Sequence, residues 1–269
     1  MFKSNALSLL SIYGTDSSDD DDDAPGPSIS MKRPRRDDDT NLPSKRLPRP
    51  DLLDNIDGPI PEEHIDDPSL HDGRIRTFSH KRGNWPTFVY IPIEVTCEME
   101  ELRTEVMQGI PEHFNFKRSV DLHLSLTKTV ELKHHWIEPF IESLKRRNHC
   151  KKFNLVFDEL QAYCNEECTR TFIGVSILHG HDSLVDLVNV LNQCLAEFHL
   201  PLFYDEPSFH MSIAWCLGDH KNVLNYILPE LNFRLPNEGI ANPRSWTVPV
   251  DYFVCKTGNK YFKFDLSDS

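Results

Sequence analysis

Two short stretches of the chain alternate apolar and polar residues with a period of two. Every second residue is apolar, and between them stand a histidine and a serine: His123 and Ser125 in residues 122–126, His210 and Ser212 in residues 208–215. Such alternation is typical of a half-buried β-strand. Each predicted strand therefore exposes a histidine and a serine on its polar face, with the apolar side chains turned to the core.

The remaining pattern predicts a regular succession of elements from about residue 85. Further strands are predicted at 87–91, closed by Pro92, and at 153–157, 171–177, 248–255 and 261–266, with the first histidine strand running over 121–130. Helices are predicted at 94–108, 132–148, from an N-cap at Asp182 to 198, and at 219–231. The last two strands are predicted to form a hairpin across 257–260. This succession predicts an α+β domain of two lobes, related by an internal two-fold, with one histidine strand in each.

Charge divides the chain into two parts. Residues 1–73 carry 8 Lys+Arg against 17 Asp+Glu, and residues 74–269 carry 21 against 25. The front includes the acidic run 19–23 and basic clusters at 32–36 and 45–49, which predict a disordered tail with a nuclear import signal. A solvated charge run or an accessory RNA-contacting arm is the alternative interpretation of these clusters. The division predicted is a tail over 1–73 and a folded domain over 74–269.

Composition also excludes several classes of function. No apolar run reaches the roughly 18 residues of a membrane span, and the nearly neutral domain has no large basic field for gripping a duplex. The short apolar patch at 6–12 lacks the features of a signal peptide. Seven cysteines without framework spacing indicate a reducing compartment, and Cys164 and Cys168 lack the second pair of a zinc site. We expect a monomer that uses neither metal nor cofactor.

A third His-x-Ser tripeptide, His181-Asp182-Ser183, indicates how often the bare motif occurs by chance. It precedes a predicted helix and lacks flanking alternation, so it is interpreted as a chance match. The other two share apolar flanks and lie 87 positions apart, one in each lobe. Two imidazoles can act as general base and general acid, and serine hydroxyls can donate hydrogen bonds to phosphate oxygens. The alternative is a pair of structural histidines on sheet surfaces.

The two motifs resemble the twin signature of the two-histidine phosphoesterase superfamily. The wider sequence is similar to one branch, the U6 small nuclear RNA phosphodiesterase family, through residues 82–85, 121–126, 169–174, 203–204, 207–215 and 256–260. The resemblance covers about 82–264. It implies a two-lobed fold with mainly antiparallel sheets flanked by helices. It also implies a nuclear 3′→5′ exoribonuclease that trims the uridine-rich 3′ end of U6 RNA and leaves a 2′,3′-cyclic phosphate.

The resemblance also implies roles for individual residues. His123 and His210 are the expected catalytic pair, without an assignment of base and acid, and Ser125 and Ser212 the expected phosphate holders. The expected substrate contacts at the RNA 3′ end are Tyr204, stacked on the terminal base, together with Ser208, Glu206, Glu166 and the middle motif residues Leu124 and Met211. Glu166 falls where relatives can carry glutamine, which leaves its contact with the base open.

Three other functions fit the same sequence. The first is another two-histidine activity, either hydrolysis of 2′,3′-cyclic nucleotides or RNA end ligation. The second is a binder of RNA ends that does not turn over, against which the intact histidines and serines argue. The third is a scaffold that works through its acidic front, with an inert folded domain.

Overall fold

A computed structural model describes residues 67–75, 78–234 and 246–268, and the acidic and basic runs of the predicted tail lie outside these ranges. The described strands are β1 (Asn84–Pro92), β2 (Lys117–Arg118), β3 (His123–Ser125), β4 (Val130–Lys133), β5 (Phe153–Cys164), β6 (Arg170–His179), β7 (His210–Leu217), β8 (Thr247–Val250), β9 (Tyr252–Thr257) and β10 (Lys260–Asp265). The helices are α1 (Cys97–Gly109), α2 (Ile137–Arg147), α3 (His181–Glu197) and α4 (Lys221–Arg234). No helix among these residues is long and apolar enough to cross a membrane.

The strands form one sheet in the order β10-β9-β1-β3-β7-β6-β5-β8, in which every pairing is antiparallel. The two histidine strands, β3 and β7, are neighbours at its centre. Strand β4 also pairs with β1 and β2 with β7, so that five strands lie on each side of the line between β3 and β7. The predicted α+β class and two-fold arrangement are therefore confirmed. The two lobes share a single sheet, because β3 and β7 pair at the middle of the molecule.

One face of this sheet carries the hydrophobic core. The alternating residues Leu122, Leu124, Leu126, Met211 and Ile213 are all at most 3% exposed. Helix α3 packs against α2, where the rings of Phe140 and Phe198 meet edge to face at 5.4 Å. The polar residues between the buried positions are left on the opposite face, which has the open cleft described below.

Some sequence-based elements differ from those observed. The predicted helix over 132–148 begins only at Ile137, because Val130 and Leu132 alternate into the core as part of β4, which pairs with β1. Helix α1 begins after Val95, which is 44% exposed. Helix α3 is capped by Gly180, which has a φ of 99°, and Asp182 lies in its first turn. The long strand predicted over 121–130 is regular only over β3.

The predicted C-terminal hairpin is also divided differently. Residues 247–250 pair with β5 at one edge of the sheet, whereas 252–257 pair with β1 and β10 in the other half. The chain therefore passes from one half of the sheet to the other around Asp251. Near the start of the described chain, residues 68–71 form a 3₁₀ turn, so regular structure is present before the predicted boundary at 73.

Candidate active site

The cleft is centred on the pairing of β3 with β7. Leu124 and Met211, the middle residues of the two motifs, are register partners. Antiparallel pairing then sets His123 across from Ser212 and Ser125 across from His210. The local two-fold passes between the two motifs, and all four polar side chains line one cleft of about 1200 Å³. The structure thus brings together the predicted pair of histidines and pair of serines.

The histidine rings are oriented by the same local contact in both motifs. Nδ1 of His123 lies 3.0 Å from the backbone oxygen of Asp121, and Nδ1 of His210 lies 2.7 Å from that of Ser208. A carbonyl oxygen only accepts, so Nδ1 carries the proton in each ring. The Nε2 atom is then the group that exchanges a proton in the cleft, as base when bare and as acid when protonated.

The surroundings of His210 make it a neutral imidazole. Tyr163 stacks on its ring, with centroids 3.7 Å apart and planes 11° apart. Burial lowers the pKa of His210 to about 4; the hydrogen bond to the Ser208 carbonyl opposes the shift, and the nearby charge of His123 adds to it. At neutral pH this ring is therefore an acceptor of protons.

Gly174 makes this stacking sterically feasible. A Cβ at this position of β6 would lie 2.9 Å from Cδ2 of His210 and 3.1 Å from Cε2 of Tyr163. Because glycine has no side chain, the rings of His210 and Tyr163 can both lie close to the backbone of Gly174. Burial raises the pKa of Tyr163 to about 12, and its hydroxyl donates to Oε1 of Gln161 at 3.4 Å. The contact of Tyr163 with His210 is therefore made by its ring.

His123 has different neighbours on its side of the cleft. The ring of Tyr90 meets it edge-on at 5.3 Å, and that of Phe88 lies 6.4 Å away. Both belong to β1, the neighbour of β3, whereas the neighbour of β7 contributes Gly174 near the corresponding position. No ring stacks face to face on His123 among the described residues. The two-fold of the backbone therefore does not extend to the environments of the two histidines.

The predicted base-stacking residue lies over the cleft. Tyr204, in the segment between α3 and β7, is 41% exposed, and Nζ of Lys128 lies 4.2 Å from its ring centre. The same ammonium group is 2.6 Å from Oε1 of Glu166. Glu166 is thus placed beside the tyrosine, with its carboxylate bound to lysine. Glu206 and Ser208 line the cleft too.

The middle motif residues have a different placement. The side chains of Leu124 and Met211 are 0% exposed and lie in the core. Any contact that they make with a substrate is therefore through the backbone. The third tripeptide lies elsewhere: His181 begins α3 and packs edge-on against Phe209 at 5.3 Å.

Residues that the sequence analysis did not single out complete the site. Tyr163 and Lys128 contact the predicted residues, and the cleft continues to Arg170, Phe172 and Trp215. The signal available for Tyr163 was a tyrosine one residue after Ala162, the last buried apolar position of β5, which does not specify its partner. The stacking depends on pairing across three strands, and no local pattern encodes it.

One group among the described residues has metal-ligand geometry. The donor atoms of Cys164, Cys168 and Asp219 lie within 4.8 Å of one another. Structural zinc takes four ligands, with cysteine as thiolate. Burial, followed by the charge of Asp219, raises the pKa of the Cys164 thiol, which disfavours that form. A group of three donors in which one cysteine disfavours the thiolate form fits a structural zinc site poorly.

Comparison with known proteins agrees with this geometry. A family model described as HVSL, an uncharacterised conserved protein, matches residues 47–265. The U6 snRNA phosphodiesterase 1 of Rattus norvegicus is 36% identical over 97% of this chain and 100% of its own length. The human protein of that name is 38% identical over 84% of this chain and 86% of its own.

A solved structure shows the same fold. Kluyveromyces marxianus Usb1 with uridine monophosphate superposes with a TM-score of 0.50 at 14% identity, covering 68% of this chain and 99% of that one. The curated relatives are matched over nearly their whole length, and the matched region contains both histidine motifs. The chain therefore belongs to the U6 snRNA phosphodiesterase family.

Proposed function

We propose that this chain is a 3′→5′ exoribonuclease that trims the uridine-rich 3′ end of U6 snRNA and leaves a 2′,3′-cyclic phosphate. The observation that carries the proposal is the placement of two His-x-Ser motifs about one local two-fold, which sets two imidazoles and two hydroxyls around a single cleft. Relatives over most of the chain bear the name of this activity. The substrate is the 3′ end of RNA.

The lowered pKa of His210 supports its assignment as the base. Its neutral Nε2 takes the proton of the 2′-hydroxyl of the penultimate ribose. The oxygen attacks the adjacent phosphorus, and the bond from phosphorus to the 5′-oxygen of the terminal nucleotide breaks. His123, which approaches from the other half of the sheet, gives its proton to that departing oxygen. Each turnover leaves the two rings with exchanged protonation, which solvent restores.

The other polar residues bind rather than transfer protons. The hydroxyls of Ser125 and Ser212 lie across from the two histidines and can donate to the nonbridging oxygens, where charge accumulates in the transition state. Tyr204 is exposed enough to stack on the terminal base. Ser208 orients His210 through its carbonyl, and Glu206 and Glu166 lie at the rim of the cleft.

The test replaces single 2′-hydroxyls in a short uridine-tailed RNA. A 2′-deoxy penultimate ribose should stop cleavage while binding persists, because the nucleophile is gone and the contacts remain. A 2′-deoxy terminal ribose is the matched control and should allow the first cut. Mass spectrometry should find 2′,3′-cyclic phosphate ends. Efficient trimming of the first oligonucleotide would mean that water attacks directly, which would overturn the mechanism.

The proposed site of action is the nucleus, where a monomer would act without metal. The basic clusters 32–36 and 45–49 support import. A fluorescent reporter carrying residues 1–73 should accumulate in nuclei, and replacing the lysines and arginines of both clusters by alanine should disperse it. Equal distribution of both reporters would leave the clusters as a solvated charge run.

A further inference from the structure

The cleft continues past the catalytic serine because strand β7 contains a β-bulge. In the pairing of β6 with β7, Ile173 faces Ala214 but Gly174 faces Ser212, so Ile213 is an extra residue. Ile213 and Ala214 are consequently buried in succession, at 1% exposure each. The shift of one position returns Trp215 to the face that carries His210 and Ser212. Without the bulge, the tryptophan would point into the core.

The neighbouring strand adds an aromatic ring and a positive charge beside Trp215. Phe172 is its register partner on β6. Arg170, two positions earlier and hence on the same face, holds its guanidinium carbon 5.4 Å from the Phe172 ring centre. Nε of Arg170 is buried and has no hydrogen-bond partner among the described residues. All three side chains line the cleft.

A second arginine is delivered by the segment that precedes β1. The guanidinium carbon of Arg74 lies 5.5 Å from the Trp215 ring centre, and its Nε donates to the backbone oxygen of His71. Gly73, at a φ of 79°, packs so tightly that a Cβ there would come within 2.6 Å of Leu217. Nζ of Lys117, itself 5.7 Å from the Trp215 ring centre, binds Asp72 at 2.6 Å. The two residues before Arg74 thus hold the segment against Leu217 of β7 and Lys117 of β2.

Two guanidinium groups therefore face the same part of the cleft. Burial, then the proximity of Arg74, lowers the pKa of Arg170, while Glu167 opposes this effect. The repulsion between the two cations indicates a local excess of positive charge. An anion placed between them would relieve it and would occupy the unpartnered donor of Arg170. Two aromatic rings beside such a charge are the elements from which single-stranded nucleic-acid sites are built.

We propose that Trp215, Phe172, Arg170 and Arg74 form an upstream platform, which binds the RNA on the 5′ side of the scissile phosphate. The aromatic rings stack bases, and the guanidinium groups bind phosphates. The proposal rests on the proposed function, since it requires an RNA whose 3′ end lies at the histidines.

The direction of the strand follows from the ends of β7. Tyr204, the proposed contact of the terminal base, lies in the segment that enters β7 at His210. Trp215 lies beyond Ser212, roughly 10 Å further along the strand at its usual rise per residue. The proposed catalytic groups come between the two aromatic residues along the strand. An RNA with its terminal base on Tyr204 and its scissile phosphate at the serines therefore continues toward Trp215. Stacking on a flat ring suits any base, so this platform should be tolerant of sequence.

The test measures kcat/KM on oligouridylates of two to eight nucleotides that share one 3′ end. For the wild-type chain, kcat/KM should rise as nucleotides are added on the 5′ side. In Trp215→Ala, kcat/KM for the longer oligonucleotides should fall roughly 5- to 150-fold, the range for the loss of one stacked base. The kcat/KM for the dinucleotide should be unchanged. Trp215→Phe should retain most of the gain with length, and the loss should appear in KM rather than kcat.

Arg74→Ala provides a second variant whose side chain is exposed, so that folding is not at stake. This variant should also reduce the rise of kcat/KM with RNA length. It should lower the slope of log affinity against log salt by about 0.7, the value for one phosphate contact to a single strand. Matched controls are Arg146→Ala, a surface arginine outside the cleft, and Tyr226→Ala, an aromatic residue 86% exposed on α4. Both should retain the wild-type gain.

The outcomes separate the platform from the function on which it rests. If the wild-type chain cleaves no oligonucleotide of any length, the proposed function fails. If it cleaves all lengths equally well, or if Arg74→Ala keeps the full gain and salt slope, the platform is wrong and the function stands. A folded Trp215→Ala that loses dinucleotide turnover would place Trp215 in the catalytic site and would also overturn the platform.

Discussion

At the scale of single residues, the two motif histidines combine equivalent positions with unequal surroundings. Each is oriented by the backbone carbonyl two residues before it, and each comes from one half of the sheet. Only His210 is covered by a stacked ring, and burial lowers its pKa to about 4. The backbone two-fold places the pair, and the different surroundings of the two rings support the proposed assignment of His210 as base and His123 as acid.

Substitution of the four motif residues should follow this division. His123→Ala or His210→Ala should abolish most turnover, since each removes a proton-transfer group. Ser125→Ala or Ser212→Ala should cost about 10²-fold in kcat, as for one donor to developing charge. Circular dichroism establishes that each variant is folded. Single-turnover rates of the folded variants then test the predictions for the histidines and for the serines. Near wild-type rates in either histidine variant would show that the residue is structural.

The pH dependence should expose the role of Tyr163. The base must be neutral, so on the acid side kcat/KM should fall only as pH drops through about 4, where His210 gains its proton. Tyr163→Ala uncovers the ring, and the pKa of His210 should rise toward its ordinary 6.5, which moves the acid limb upward by about two units. Tyr163→Phe keeps the stacked ring and should leave the limb in place. An unmoved limb in the alanine variant would contradict the assignment of His210 as base.

Tyr204 should affect the terminal base more than the chemistry. Tyr204→Ala should reduce kcat/KM by an amount equivalent to about 1–3 kcal/mol, the usual contribution of one stacked base. Tyr204→Phe retains the ring and should be nearly neutral. Steady-state assays on RNAs ending in uridine compare the two. A large defect in the phenylalanine variant would assign the role to the hydroxyl.

The convergence of the two His-x-Ser motifs in one cleft was predictable from sequence because its signal is local. Alternation about His123 and His210 determines both the strand and the exposed face, without knowledge of distant residues. Tyr163 and Trp215 were beyond such reasoning. The first reaches His210 only through the pairing of β5, β6 and β7, and the second returns to the cleft only because a bulge shifts the alternation of β7.

At the scale of elements, irregular strands need support from outside the sheet. Strand β5 loses register with β6 between Phe157 and Leu160. The Asn232 side chain of α4 binds both backbone groups of Leu160, accepting from the amide at 2.9 Å and donating to the carbonyl at 3.0 Å. A helix side chain thus replaces the missing strand contacts and fixes α4 beside the cleft.

Removal of the Asn232 side chain should lower the free energy of unfolding. Asn232→Ala leaves two partly buried backbone groups of Leu160 without their partner, at about 1–3 kcal/mol each when unsatisfied. Asn232→Asp keeps an acceptor for the amide and should lose less. Urea unfolding of the three proteins measures the differences in the free energy of unfolding. Equal stability of wild type and Asn232→Ala would mean that water replaces the amide at no cost.

Sequence reasoning located the elements better than their connections. Leu132 continues the helical spacing of Trp136 and Phe140, which predicts a helix from 132, whereas Leu132 belongs to β4 and pairs with β1. Strands β8 and β9 form one apolar run in the sequence, yet β8 is the edge strand of one half of the sheet and β9 pairs with β1 and β10 in the other half. Period and propensity describe a segment, whereas pairing depends on partners elsewhere in the chain.

At the scale of the whole molecule, the proposed chemistry and its substrate contacts lie between Arg74 and Trp215. Deletion of residues 1–66 should therefore preserve cleavage of short oligonucleotides, while nuclear import of the chain is lost. Deletion through Gly73 or further disturbs the contacts that hold Arg74, and should reduce the gain with RNA length. Parallel assays of both truncations measure this. Loss of dinucleotide cleavage on removing 1–66 would favour a scaffold or an arm that takes part in the reaction.

The return of the chain at Asp251 has a consequence for synthesis on the ribosome. Strand β1, next to the strand of His123, pairs with β9, and β9 with β10, yet both follow all the other described strands along the chain. The half with His123 lacks these neighbours until residues 252–265 have left the exit tunnel. A nascent chain stalled before that point should thus lack the finished cleft. Nuclease activity should first appear once these residues have emerged.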